Sequence, residues 1–241
     1  MAAFAQPGAY DYNSTVFSPD GRLYQVEYAR ELVNRGGTIL GIRCAEGVVL
    51  GSEENIEVLE EERRSWKIFQ VDDHIGAAII GLSSDARVLI DQARINTQSN
   101  KLTYDEPIDV EVVTKKICDT QQTYTQHGGG RPFGVAMILG GVDKTGPHVF
   151  GTHPSGNYRG YKATAVGAGT ETVLSMLKEE YREDLSLEKG IKLAVKCLVK
   201  ALQARELPLR IKIAVIPITT KKWSMLSNEA IEGYIKETLI Y

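Results

Sequence analysis

Cysteine is scarce: Cys44, Cys118 and Cys197 are an odd three, none in a C-x-x-C pair, and each falls inside an apolar-periodic segment. That excludes a disulfide framework and a cysteine-based zinc site, and reads as buried reduced thiols. Histidine is equally sparse, and His74, His127, His148 and His153 lack the spacing of a metal-binding pair on one helix, so neither metal nor other cofactor is expected. No apolar run approaches the roughly 20 residues of a membrane span. The opening MAAFAQPGAY lacks a basic region followed by an apolar core, so the expected location is cytoplasmic. Basic charge is not in excess either: 28 Lys and Arg against 31 Asp and Glu give a net charge of −3, which argues against nucleic acid as a partner.

What is present is an ordinary globular composition, 43% hydrophobic and 24% charged over 241 residues, with hydrophobic periodicity in blocks. The runs 38-TILGIRC-44 and 48-VVLGSE-53 read as a hairpin around Gly47. The charged stretch 53–65 reads as a solvated excursion. A second strand pair is expected at 67–71 and 75–81, the latter apolar enough to be covered on both faces. Two one-sided helices follow at 83–101 and 108–126. The first has a serine pair for an N-cap and a stripe of Ala86, Leu89, Ile90, Ala93 and Ile95. Strands at 132–143, 147–153 and 161–169, helices at 170–183 and 186–202, a strand at 211–219, a short 223–226 and a terminal helix complete the chain. Two β blocks, each followed by a helix pair, predict an α+β protein, a four-layer α/β/β/α sandwich in one domain over 1–241.

Ahead of the sandwich stands 17-FSPDGRLYQVEYARELVNRGG-37. Ser18-Pro19-Asp20-Gly21 has turn chemistry, and Leu23, Val26, Ala29, Leu32 and Val33 give one apolar helical face. Gly36-Gly37 would end that helix. On pattern alone it could simply cover a sheet edge.

The run 10-YDYNSTVFSPDGRLYQVEYA-29 closely resembles the N-terminal signature of proteasome α-type subunits, and of the archaeal type most. The likeness continues through 67-KIFQVDDHIGAA-78, 81-GLSSDARVLI-90, 124-YTQHGGGRPFGV-135 and 161-YKATAVGAG-169. It implies the Ntn-hydrolase sandwich with an extra N-terminal helix, divided into a gating tail (1–17), a turn and helix (18–37) and the sandwich (38–241). It also implies a seven-membered ring of α subunits on a ring of proteasome β subunits, admitting unfolded protein substrates and docking the C-terminal tails of regulatory ATPases. Carried over residue by residue, Tyr10, Asp11, Pro19 and Tyr28 match the gate cluster. Lys67, with Gly36, Leu23 and Glu27, matches the pocket that takes an activator tail, its ammonium receiving the terminal carboxylate. His127-Gly128-Gly129-Gly130 matches the pore-rim loop, although a glycine run can also be merely a flexible loop. Tyr12 departs from the family, which usually has Arg there.

The rival readings are a catalytic β-type threonine peptidase and a stand-alone ring scaffold. Catalysis needs a hydroxyl and a free α-amino group on one residue. Alignment on Gly41 puts Gly37 at the nucleophile position, with Glu53 and Lys67 where the β-type acidic and lysine partners stand. Thr38 is one position out of register and would face the other side of its strand. The expected subunit is therefore not itself an enzyme.

Overall fold

The computed structural model describes residues 10–54, 59, 65–127, 130–203 and 211–239. Its elements run α1 (Tyr24–Arg35), β1 (Ile39–Cys44), β2 (Gly47–Glu53), β3 (Ile68–Asp72), β4 (Ile75–Gly81), α2 (Ser83–Tyr104) and α3 (Val110–Gln126). They continue β5 (Val135–Asp143), β6 (Gly146–Thr152), β7 (Tyr158–Gly160), β8 (Ala163–Val166), α4 (Thr170–Glu180), α5 (Leu187–Gln203), β9 (Ile211–Pro217), β10 (Ser224–Met225) and α6 (Asn228–Leu239).

The strands form two five-stranded sheets, ordered β10-β9-β2-β1-β8 and β3-β4-β5-β6-β7, with antiparallel pairing throughout. Strand alternation sorts the side chains into three apolar layers. Ile39, Val48, Leu50, Ala214 and Ile216 of the first sheet meet Ala78, Ile80, Ala136, Ile138 and Val149 of the second. Leu40, Ile42 and Val49 turn outward under α4 and α5, whereas Ala77, Ile79, Met137 and Leu139 turn outward under α2 and α3. The order is therefore helices, sheet, sheet, helices, as the periodicity predicts. Gly41 belongs to the inner layer, where a Cβ would stand 2.6 Å from Ile138 Cγ2. At that position the sheets approach too closely for any side chain.

Four local expectations are corrected. The segment expected as one strand over 161–169 pairs with β1 only through Ala163–Val166. The strand before it, β7, joins the other sheet through β6, because the turn at 154–157 reverses the chain early enough to pair Tyr158 with Thr152. On α2, Leu82 is the N-cap residue and no side chain caps it, so the serine pair lies inside the helix. Ile95 faces solvent, and Thr97 continues the buried stripe in its place. The excursion expected from residue 53 begins with two buried carboxylates, Glu53 and Glu54. The rest of that run, except Leu59 and Ser65, lies outside the described residues, as do Ile240 and Tyr241.

Candidate functional site

The turn before α1 is closed by its own polar groups. Gly21 N donates to Ser18 O (2.9 Å), Arg22 N donates to Ser18 Oγ (3.1 Å), and Gly21 takes φ +73°, which glycine adopts without strain. Arg22 then reaches forward to fork onto the carboxylate of Glu27, in the first turn of α1, and lies 5.0 Å from the centre of the Tyr24 ring. This pairing raises the Arg22 pKa and lowers that of Glu27. Both groups are exposed, so the pair fixes geometry more than it stabilises.

Val26, Ala29 and Val33 bury the inner face of α1, and Val33 reaches the layer between the sheets. Leu32 is partly exposed but lies over Gly134, where a Cβ would stand 2.9 Å from its Cδ2. The helix ends at Gly36, although not through the left-handed cap a glycine suggests: Gly36 is extended, with φ −69° and ψ 165°. Its lack of a side chain matters for packing instead, since a Cβ would meet Ile80 Cγ1 at 2.7 Å.

The chain ahead of the turn is tied to this helix at Asp11. Gln25 Nε2 donates to Asp11 O, and the Asp11 carboxylate lies close enough to Tyr28 to act on its hydroxyl. Burial, followed by Asp11, raises the Tyr28 pKa. Of the four residues matched to the gate cluster, Asp11 and Tyr28 influence one another electrostatically, Tyr10 precedes them half-buried, and Pro19 stands exposed on the turn. Farther on, Ser14 Oγ donates to Gly130 O (3.0 Å), across 116 residues of chain. A cleft of about 480 Å³ lies there, lined in part by Tyr12, Ser14, Gln25, Gly130 and Arg131. In the loop, the His127 ring and backbone N–H both meet Thr123 O, whereas Gly128 and Gly129 lie outside the described residues. Sequence reasoning left out Ser14, Gln25, Arg131 and Asp85. Arg131 forks onto Asp85 at 2.6 and 2.9 Å, and Asp85 also accepts Gly134 N–H at 2.9 Å.

A second cluster sits where α1 enters β1. Lys67 Nζ donates to Glu53 O (2.6 Å), and a Cβ on Gly37 would stand 2.6 Å from that nitrogen. The Glu53 carboxylate accepts Thr38 N–H at 2.9 Å. Gly37, Glu53 and Lys67 therefore converge. Thr38 points the other way: it is fully buried, and its hydroxyl accepts Gly169 N–H at 3.0 Å. Lys67 is set in place by Glu54, whose carboxylate accepts Ser52 Oγ (3.1 Å), Trp66 N (3.2 Å), Lys67 N (3.3 Å) and the Ser65 hydroxyl. Of the residues matched to the tail pocket, Gly36 adjoins this cluster, while Glu27 is engaged with Arg22 and Leu23 is half-buried at the start of α1. Among the described residues there is no group of side chains that could hold a metal ion, and no helix is long and apolar enough to cross a membrane.

A sandwich of two antiparallel sheets between helix layers, entered through an extra N-terminal helix, defines the class. Residues 33–216 match the proteasome subunit family, and the chain belongs to it. Residues 10–31 match the N-terminal signature of A-type proteasome subunits, which specifies the α type. Relatives agree. The chain is 48% identical to "Proteasome subunit alpha" of Methanosarcina acetivorans, covering 95% of this chain and 94% of that one. It is also 48% identical to the proteins so named from Pyrococcus horikoshii (98% of this chain, 91% of that one) and Methanothermobacter thermautotrophicus (98% and 95%).

Proposed function

We infer that this α-type chain is a non-catalytic subunit of a cytoplasmic 20S core. Seven copies close an outer ring on a ring of β subunits, gate the entry of unfolded substrates, and dock the tails of regulatory ATPases. The observation that carries the reading is the N-terminal segment, a closed turn and a helix packed on the sandwich with the main chain at Asp11 held by Gln25. A segment so anchored has a defined position from which to cover or clear a pore.

The catalytic reading is disfavoured by chemistry. Gly37 offers no hydroxyl beside Lys67, its nitrogen is a peptide amide rather than a free amine, and the neighbouring hydroxyl of Thr38 is committed to Gly169. Lys67, half-buried beside Gly37, suits a terminal carboxylate because a partly desolvated ammonium is screened less than one on open surface.

Native mass spectrometry of the chain expressed alone tests the assembly: seven uncut 26.6 kDa copies support it, and a monomer cut before Gly37 or Thr38 overturns it. Deleting residues 2–13 is expected to raise basal peptide hydrolysis by the particle assembled with β subunits. Lys67→Ala is expected to abolish activator-stimulated protein degradation while sparing small-peptide cleavage.

A further inference from the structure

We propose that residues 130–134 form a second anchor for the gating segment: Ser14 fastens the segment to Gly130, and the Asp85–Arg131 pair holds that anchor to the first turn of α2. The inference rests on the gating reading above and assigns positioning roles to Ser14, Arg131 and Asp85. Four observations converge. Ser14, a buried residue despite lying in an N-terminal extension, donates its hydroxyl to Gly130 O at 3.0 Å. The next residue, Arg131, is fixed by a two-pronged bond to Asp85, and Arg131 Nη1 also donates to Pro132 O at 2.9 Å. Asp85 binds the far end of the same stretch through Gly134 N–H, so one carboxylate spans the loop return. Finally, Leu32 of α1 covers Gly134, which ties the return to the helix that carries Gln25 and Tyr28.

The segment is thus gripped on two sides. Gln25 holds the main chain at Asp11 from α1, and Gly130 holds Ser14 from the loop. An arginine fork suits the second arm because its planar pair of bonds fixes orientation, which a single ammonium contact does not. The loop that the resemblance assigns to the pore rim therefore also sets where the gate segment rests.

The test uses the full particle assembled with catalytic β subunits and a short fluorogenic peptide. Ser14→Ala is expected to raise basal hydrolysis roughly 2- to 12-fold, the population shift that loss of one intramolecular hydrogen bond allows. The activator-stimulated rate is expected to stay unchanged, which a general loss of structure would not spare. Arg131→Met is expected to do the same, Arg131→Lys to recover part of the closure, and Ser14→Ala with Arg131→Met to open no further than either alone. Ser14→Ala removes only a hydroxyl, so it decides the matter if Arg131→Met fails to assemble. Should the 2–13 deletion raise hydrolysis while Ser14→Ala stays at the wild-type rate, the second anchor is wrong and gating stands. Additive effects in the double variant also overturn it. A deletion without effect removes the gating reading, and this inference with it.

Discussion

Replacing Glu54 with alanine probes how Lys67 is set in place. The Glu54 carboxylate, 2% exposed, accepts four donors from Ser52, Ser65, Trp66 and Lys67. Lys67 N keeps a partial partner in Ser65 Oγ at 3.2 Å, and Trp66 stands at the surface where water can reach it. The Ser52 hydroxyl is fully buried and bears the main loss. A buried donor left unmade costs about 1–3 kcal/mol, and with a part-compensated Trp66 amide the sum is about 2–4 kcal/mol. For a chain of this size that lowers Tm by about 4–16 °C, measured at matched protein concentration because assembly adds its own stability. Glu54→Gln keeps one carbonyl acceptor and should lose roughly half as much. Hydrogen exchange localises the effect: amides of residues 65–68 should exchange faster, with the α4–α5 region unchanged. The response to activator tails should weaken as Lys67 loosens. An alanine variant that melts within about 1 °C of wild type and exchanges at the same rate would refute the clamp.

Three further outcomes follow from the same geometry. Thr38→Val removes the acceptor for Gly169 N–H, and urea unfolding should show a loss of about 1–3 kcal/mol with peptide cleavage by the assembled particle unchanged; activity lost without stability would make Thr38 a functional hydroxyl. The hydrogen bond from Arg131 holds the Asp85 carboxyl below its ordinary value of 3.8, against the opposing effect of burial. Its stability contribution is therefore complete above that value and lost as pH falls through the lower folded one, so below about pH 4 urea unfolding of Asp85→Asn should depend less on pH than wild type. Burial pushes the thiols of Cys44, Cys118 and Cys197 up to about 12, so a thiol reagent at neutral pH should label the native protein slowly and the unfolded chain fully; rapid native labelling would contradict the packing.

The strong periodicities were legible. The apolar run of β4 and the helical spacing of Ile191, Ala194, Val195, Leu198 and Leu202 in α5 mark elements that the structure buries, since period and length there admit one reading. β7 was not, because three residues carry no period and its sheet is decided by a turn closing onto β6. Glu54 reads as part of a charged run, and only the return of residues 65–67 beside β2 makes it a buried acceptor. The residues assigned to the gate come from the resemblance of the N-terminal signature, which carries their identities in order, and not from any period of their own. The contact of Ser14 with Gly130 was not legible, since a serine and a backbone carbonyl 116 residues apart leave no mark in either segment.

The sheet borders carry a consequence for how copies can associate. Among the described residues, three of the four outermost strands are short: β10 has two residues, β7 three and β8 four. On the fourth, β3, the Arg94 guanidinium occupies the carbonyl of Gln70 with two bonds, at 3.1 and 2.9 Å. A neighbouring chain therefore finds little main-chain ladder to extend, and continuous sheet growth, which has no natural stopping number, is discouraged. Contact between copies is left to side chains and loops, whose fixed shapes set an angle at each join, and a fixed angle is what allows an assembly to close after a definite count.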